Sequence, residues 1–93
     1  MAYHKRFIDQ VKAQPPTRLG VKLARWAIYH DISPAQIAHV TGATRQTAYN
    51  WMKGGEVFVA YRAAVEQLIK VLAGVQDNED PWSKVCKAFN LKP

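Results

Sequence analysis

The sequence lacks most of the features that mark extracellular, membrane or metal-binding proteins. Its single cysteine, Cys86, excludes an intramolecular disulfide framework, and one cysteine with three histidines does not favour a structural zinc site. No apolar run approaches the roughly 18–20 residues that span a bilayer, and the first residues lack the apolar segment of a signal peptide. We therefore expect a soluble, cytoplasmic protein that does not associate with membranes.

Residue sets that support catalysis are also missing from the pattern. There is no pair of acids, no Ser–His–Asp set and no Cys–His pairing at a suggestive spacing. The three histidines, His4, His30 and His39, show no metal-ligand spacing to one another. We expect no enzyme activity, no cofactor, no metal and no small-molecule ligand.

Acidic residues are scarce in the first part of the chain. Residues 1–55 carry eight Lys and Arg side chains but only Asp9 and Asp31, a net charge of +6, whereas residues 56–93 carry five of each sign. A basic half beside a neutral half is typical of a surface that faces a polyanion, and nucleic acid is the first candidate. An ordinary solvated basic surface would give the same excess.

Apolar residues at three- and four-residue spacing predict an all-α chain, and no alternating strand pattern is present. The predicted helices cover residues 3–14, 17–30, 34–40, 45–53, 56 or 57 to 73, and 82–91. We expect Thr17, Ser33 and Thr44 to cap the second, third and fourth helices. Gly42 is expected to end the third helix in a left-handed conformation.

Residues 33–54 have the layout of a helix-turn-helix. Ala38 and Ala48 are small enough for two crossing helices to approach, and Gly42 can adopt the positive φ that the turn needs. Ile37, Val40 and Trp51 are expected to pack inward against the apolar stripe of the second helix, which consists of Leu23, Trp26 and Ala27. The outward face of the fourth helix is then polar and consists of Arg45, Gln46, Tyr49, Asn50 and Lys53.

This stretch resembles the helix-turn-helix of the Cro/repressor family, also called the xenobiotic-response-element family, of phage and bacterial regulators. The matching residues are Ile37-Ala38, Gly42-Ala43-Thr44-Arg45-Gln46-Thr47, Trp51 and Gly54. With its flanking helices the resemblance covers about residues 17–73. It implies a five-helix, lambda-repressor-like domain at 17–74, with short helical extensions at 1–16 and 75–93. Two positions depart from the family: Pro34 stands where a phosphate-anchoring glutamine is usual, and Met52 stands where glutamate is favoured.

The resemblance also implies roles for individual side chains. Reading of DNA bases in the major groove is expected from Arg45, Gln46, Tyr49 and Asn50. Contacts to the DNA backbone are expected from Ser33, Gln36, Thr44, Thr47, Lys53, Lys22 and Arg25. Ser33 or Gln36 would have to replace the missing glutamine anchor. Each of these side chains could instead be plain solvated surface.

The expected function is that of a sequence-specific regulator of transcription that binds double-stranded DNA. It would be a small repressor, acting as a homodimer in a bacterial cell or a phage-infected host. The strongest candidate for the dimer interface is the apolar seam of the long fifth helix together with Trp82 and Phe89 of the tail, but the seam could instead close the monomer's own core. This seam consists of Phe58, Tyr61, Val65, Leu68 and Leu72. The alternative function is a protein-interaction module that keeps the helix-turn-helix scaffold and binds a host or phage protein.

Overall fold

Six α-helices joined by short connections make up most of the computed structural model, which describes residues 3–92. In chain order they are α1 (Lys5–Lys12), α2 (Leu19–Tyr29), α3 (Pro34–Thr41), α4 (Arg45–Met52), α5 (Val59–Ala73) and α6 (Pro81–Ala88). Residues 3–92 contain no strand. The prediction of an all-α protein is therefore confirmed.

A single cluster of buried side chains receives residues from all six helices. Val11 of α1 and Val85 of α6 belong to this cluster and are fully buried, as are the core residues of the middle helices. Trp82 and Phe89 of the C-terminal segment are partly buried and pack against the same cluster. The terminal helices, which we predicted as extensions, are therefore packed into the same core as the predicted central domain.

The helices α2 and α4 approach each other very closely at Gly20. A Cβ atom on residue 20 would lie 2.2 Å from the backbone oxygen of Trp51 and 2.9 Å from its Cβ. Trp51 is 1% exposed, and its ring lies 5.4 Å from the ring of Tyr61 on α5. Gly20 thus allows the backbone of α2 to contact α4 directly and brings Trp51 into the centre of the molecule.

The predicted seam of α5 closes the core of the monomer. Val65, Leu68 and Leu72 are fully buried, and Tyr61 is half-buried against Trp51. Phe58 does not belong to the seam, because it precedes the helix and is 67% exposed. Of the two interpretations that the sequence left open, the structure therefore gives the seam to the monomer's own core.

The start of α5 also differs from the prediction. We predicted that the helix begins at Glu56 or Val57, but residues 55–58 are non-helical and the first helical residue is Val59. The non-helical connection allows Val57 to bury its side chain in the core, where it is 7% exposed. No side chain of the Ser, Thr, Asp or Asn type stands here to cap an earlier start.

The start of α2 is stabilised by a link that was not predicted. Arg18 and not Thr17 is the N-cap residue, and its side chain makes no capping hydrogen bond. Nη1 of Arg18 instead donates to the carbonyl oxygen of Gly54 at 2.9 Å. Gly54 has a φ of +100°, and a Cβ there would lie 2.8 Å from Oε1 of Gln14. The segment between α1 and α2 is thereby held against the turn that follows α4.

The phenol of Tyr3 anchors the N-terminal segment. Its hydroxyl donates a hydrogen bond to the carbonyl oxygen of Ile32, just before α3, and lies 3.8 Å from Sδ of Met52. Tyr3 is 5% exposed, and its burial raises the pKa of the phenol well above its ordinary value, with smaller contributions from Tyr49 and Asp31. Only the neutral phenol can make this hydrogen bond.

This hydrogen bond predicts a loss of stability at alkaline pH. Above the pKa of about 10 that tyrosine has in an unfolded chain, the unfolded state releases the Tyr3 proton while the folded state keeps it. The free energy of unfolding should therefore fall as the pH rises. The fall should be steeper in the wild-type chain than in the Tyr3→Phe variant, by about 1.4 kcal/mol per pH unit. Denaturant titrations of both proteins between pH 9 and 11 measure this difference, and parallel curves would contradict it.

Candidate nucleic-acid interface

The connection between α3 and α4 is a tight turn of three residues, 42–44. Gly42 has a φ of +80° and donates its N–H to the carbonyl oxygen of Ala38 at 2.9 Å. Thr44 begins α4, because its Oγ1 accepts a hydrogen bond from the N–H of Thr47 at 3.1 Å. Ala38 and Ala48 are both buried, and α3 packs against α4. The predicted turn and the predicted cap of α4 are confirmed.

One face of α4 is exposed and polar. Gln46 and Asn50 lie four residues apart on this face, and Nε2 of Gln46 donates to Oδ1 of Asn50 at 3.2 Å. Arg45 and Lys53 are exposed at its two ends. The opposite face of α4 is buried and consists of Ala48, Trp51 and Met52. The exposed face carries Arg45, Gln46, Asn50 and Lys53, which we call the α4 polar face.

The hydrogen bond between Gln46 and Asn50 leaves groups available for a ligand. Oε1 of Gln46 can still accept a hydrogen bond, and the second N–H of its amide can still donate one. Such a donor and acceptor on one amide match the N7 and N6 groups of adenine in the major groove. The hydrogen bond that Asn50 accepts orients this amide, and Arg45 next to it offers the donors that guanine would accept.

Negative charge is absent from the sequence around this face. No Asp or Glu occurs between Asp31 and Glu56, a stretch that includes all of α3 and α4. Arg45 and Lys53 therefore have no acidic neighbour within these two helices, and the α4 polar face carries positive charge. This electrostatic character suits a polyanion.

Tyr49 is less available than the sequence suggested. Its side chain is half-buried, and its ring lies 5.5 Å from the ring of Phe7 on α1, at an interplanar angle of 88°. Phe7 in turn stacks on Tyr3, with ring centroids 5.5 Å apart and an interplanar angle of 14°. The predicted base-reading residue Tyr49 therefore packs against α1, which covers the side of α4 next to the α4 polar face.

The same packing accounts for the apolar side chain at residue 52. Met52 is fully buried, and its sulfur lies 3.8 Å from the hydroxyl of Tyr3. A glutamate at this position would bury an ionised carboxylate under the N-terminal segment, which is costly unless a basic group pairs with it. The burial of residue 52 beneath the N-terminal segment therefore favours an uncharged side chain there.

Ser33 and Gln36, both predicted to contact the DNA backbone, form a capping box at the start of α3. The N–H of Gln36 donates to Oγ of Ser33 at 3.1 Å, and the N–H of Ser33 donates to Oε1 of Gln36 at 2.8 Å. Pro34 occupies the first turn, where a missing N–H costs nothing. Both side chains thus stabilise α3, although the Nε2 amide of Gln36 is left as a donor.

Two other predicted backbone contacts lie away from α4. Lys22 and Arg25 are exposed on α2, but Gly20 marks the face of α2 that touches α4. At about 100° of rotation per residue, Lys22 lies roughly 200° and Arg25 roughly 140° around the helix from Gly20. The structure therefore brings Arg45, Gln46, Asn50 and Lys53 together on one face of α4. Thr44 and Thr47 are hydrogen-bonded to each other at the N-terminus of this helix, and Lys22 and Arg25 do not lie on the same face.

Three residues that shape the site were missed by the sequence analysis: Tyr3, Phe7 and Gly20. The apolar spacing of Phe7, Ile8 and Val11 indicated a buried face on α1 but not which helix it covers. Gly20 stands inside a helical pattern, and a glycine in such a place often has a packing reason. That signal could have identified the close approach of α2 to α4.

Within residues 3–92, no group of three or more His, Cys, Asp or Glu side chains is placed to hold a metal ion. The helices of this part of the chain also lack the length and apolar character that crossing a membrane requires. Comparisons with protein-family models, with curated protein sequences and with solved structures find no match to this chain.

Proposed function

We propose that this protein binds double-stranded DNA in a sequence-specific way and regulates transcription, as a small repressor does. The observation that carries the proposal is the α4 polar face: an exposed set of Arg, Gln, Asn and Lys side chains on a short helix with a tight glycine turn before it. An eight-residue helix is about 12 Å long, which suits entry into the major groove of B-DNA.

The side chains of this face have distinct roles in the proposal. Arg45 and Gln46 contact base edges at the start of α4, and Asn50 holds the Gln46 amide in the orientation that reading requires. Thr44 and Thr47, at the capped N-terminus of α4, and Lys53, at its other end, contact the DNA backbone. Tyr49 contributes mainly by positioning α1.

A homodimer remains part of the proposal, because one short recognition helix makes too few base contacts for a regulator's affinity. The core of the monomer uses the α5 seam, so the dimer needs another surface. Phe58 and Val59, which are 67% and 85% exposed at the start of α5, are the apolar residues closest to α4 in the chain that are available for it.

Selection from a pool of randomised duplexes at about 150 mM salt tests the function and the dimer together. An enriched inverted repeat with half-sites about 34 Å apart is the expected result. A single short half-site would support DNA reading by a monomer and contradict the dimer. No enriched sequence, with only weak and salt-sensitive binding, would contradict the proposed function.

Arg45→Ala is expected to lower the affinity for the selected site by about 1–3 kcal/mol, or roughly 5- to 150-fold, and to relax the preference at one base pair. The affinity for unrelated duplexes should fall much less. Lys70→Ala, which removes one positive charge from an exposed position on α5, is the matched control. Equal losses on all duplexes would show that Arg45 contacts only the backbone.

A protein-interaction module is the second candidate. A shallow groove between α2 and the end of α5 favours it, since this groove is lined by Trp26 and Tyr29, and Tyr29 is 71% exposed. Two results together would favour a protein partner at this groove. The wild-type chain would select no DNA sequence, and replacement of Arg45 would leave the stability of the fold unchanged.

A further inference from the structure

The first turn of α1 lies between two groups that the proposed function assigns to DNA. Tyr3 holds this turn against Ile32, the residue before the capping box of Ser33 and Gln36. Phe7 holds it against Tyr49, which borders the α4 polar face. The N-terminal segment is thus packed on the domain beside the second half of α4, at Tyr49 and Met52, and beside Ile32 just before α3.

The helical rotation of α1 decides which of its side chains border α4. Ile8 faces α2, because it lines a cavity there with Ile28 and Tyr29. Phe7, about 100° away, faces α4 through its contact with Tyr49. A further step of about 100° in the same direction leads to Arg6, which is exposed. Arg6 therefore emerges from α1 on the side that borders the α4 polar face.

Arg6 is the charged residue of α1 that lies nearest to the side facing α4. Lys5, Asp9 and Lys12 lie about 160°, 160° and 140° from Phe7 around the helix, on the side away from α4. Arg6 is exposed, and within residues 3–92 it forms no ion pair, although Asp9 lies three residues further along the same helix. Arg6 extends the positive charge of the α4 polar face across the boundary that Phe7 and Tyr49 form.

We propose that Arg6 is a DNA-backbone contact, carried beside the recognition helix by α1 and positioned by the stack of Tyr3, Phe7 and Tyr49. The proposal rests on the proposed function, since it assigns one more contact to the same interface. The guanidinium would bind a phosphate at the edge of the groove that α4 enters. It adds affinity for any duplex and carries no sequence preference.

Arg6→Ala tests this proposal in the full-length chain, with Lys87→Ala on α6 as the control that makes the same change in net charge. Affinities for the selected site and for an unrelated duplex are measured from about 100 to 300 mM salt. Arg6→Ala should weaken both duplexes by the same factor, about 3- to 10-fold, and lower the salt slope by about 0.9. Lys87→Ala should leave the slope unchanged, and Arg6→Lys should restore most of it.

The outcomes separate this proposal from the proposed function. The salt dependence of binding could be the same in Arg6→Ala as in wild type, while Arg45→Ala still binds the selected site more weakly. This result would overturn the role of Arg6 and leave the proposed function standing. A loss confined to the selected site would also overturn it, because a backbone contact weakens all sequences. Failure of the wild-type chain to select any sequence would overturn the proposed function, and the role of Arg6 with it.

Discussion

Replacing Gly20 with alanine is expected to lower the free energy of unfolding by about 3 kcal/mol. The new Cβ would lie 2.2 Å from the backbone oxygen of Trp51, so α2 and α4 would have to separate. The backbone of Trp51 cannot move aside as a flexible side chain would. In most helix interiors the same change stabilises by up to about 1 kcal/mol, so even the sign of the effect is informative.

Gly74→Ala is the matched control for this experiment. Gly74 caps the end of α5 with a φ of −92°, and a Cβ there would have its nearest neighbours at 3.6 and 3.7 Å, which is ordinary contact. Its replacement should leave stability unchanged or raise it slightly. Denaturant titrations followed by circular dichroism measure both variants. A Gly20→Ala protein as stable as the Gly74→Ala protein would show that α2 and α4 are farther apart than described.

Leu68→Ala is expected to lower the free energy of unfolding by about 2–5 kcal/mol. Leu68 is fully buried in the core on the α5 seam, and its truncation leaves a cavity that the neighbouring helices fill only in part. The loss should be the same at low and high protein concentration, because the seam belongs to the monomer.

Glu66→Ala is the control on the same helix. Glu66 is exposed and has no role in the proposed dimer surface, and its truncation should change stability by less than about 0.5 kcal/mol. A Leu68→Ala chain that folds as stably as wild type but no longer associates would contradict the assignment of the seam to the monomer's core. It would make the seam a surface between two copies.

The local features of the fold could be predicted from the sequence because their causes are local. Ser33 and Thr44 cap helices through bonds that span three residues, and Gly42 takes the left-handed conformation that a glycine adopts freely. The alternation of three and four residues between Tyr61 and Leu72 predicted a buried stripe on α5, and the stripe is there. The exposed positions of α4 follow from the same periodicity.

The features that were missed depend on contacts between distant parts of the chain. Tyr3 reaches Ile32 and Met52, which lie 29 and 49 residues away, and no local pattern indicates this pairing. Periodicity shows that a helix has an apolar face but not which neighbour covers it. For that reason Tyr49 was predicted as a free base-reading residue, although it packs against Phe7.

The predicted start of α5 was wrong for a related reason. Helix propensity alone predicts a helix that begins at Glu56. The burial of Val57 in a non-helical segment stabilises the chain more than an additional helical turn would. The core therefore decided where the helix begins.

The burial of Val11 and Val85 in one cluster has a consequence for how the chain opens. Releasing α1 would expose core side chains of α2 and α4, and releasing α6 would expose those of α5. Neither end can fray far without weakening the packing that holds the other helices. The two ends and the middle therefore unfold as one cooperative unit. A fragment trimmed to residues 17–74 would expose part of the core to solvent, because it lacks Val11 and Val85.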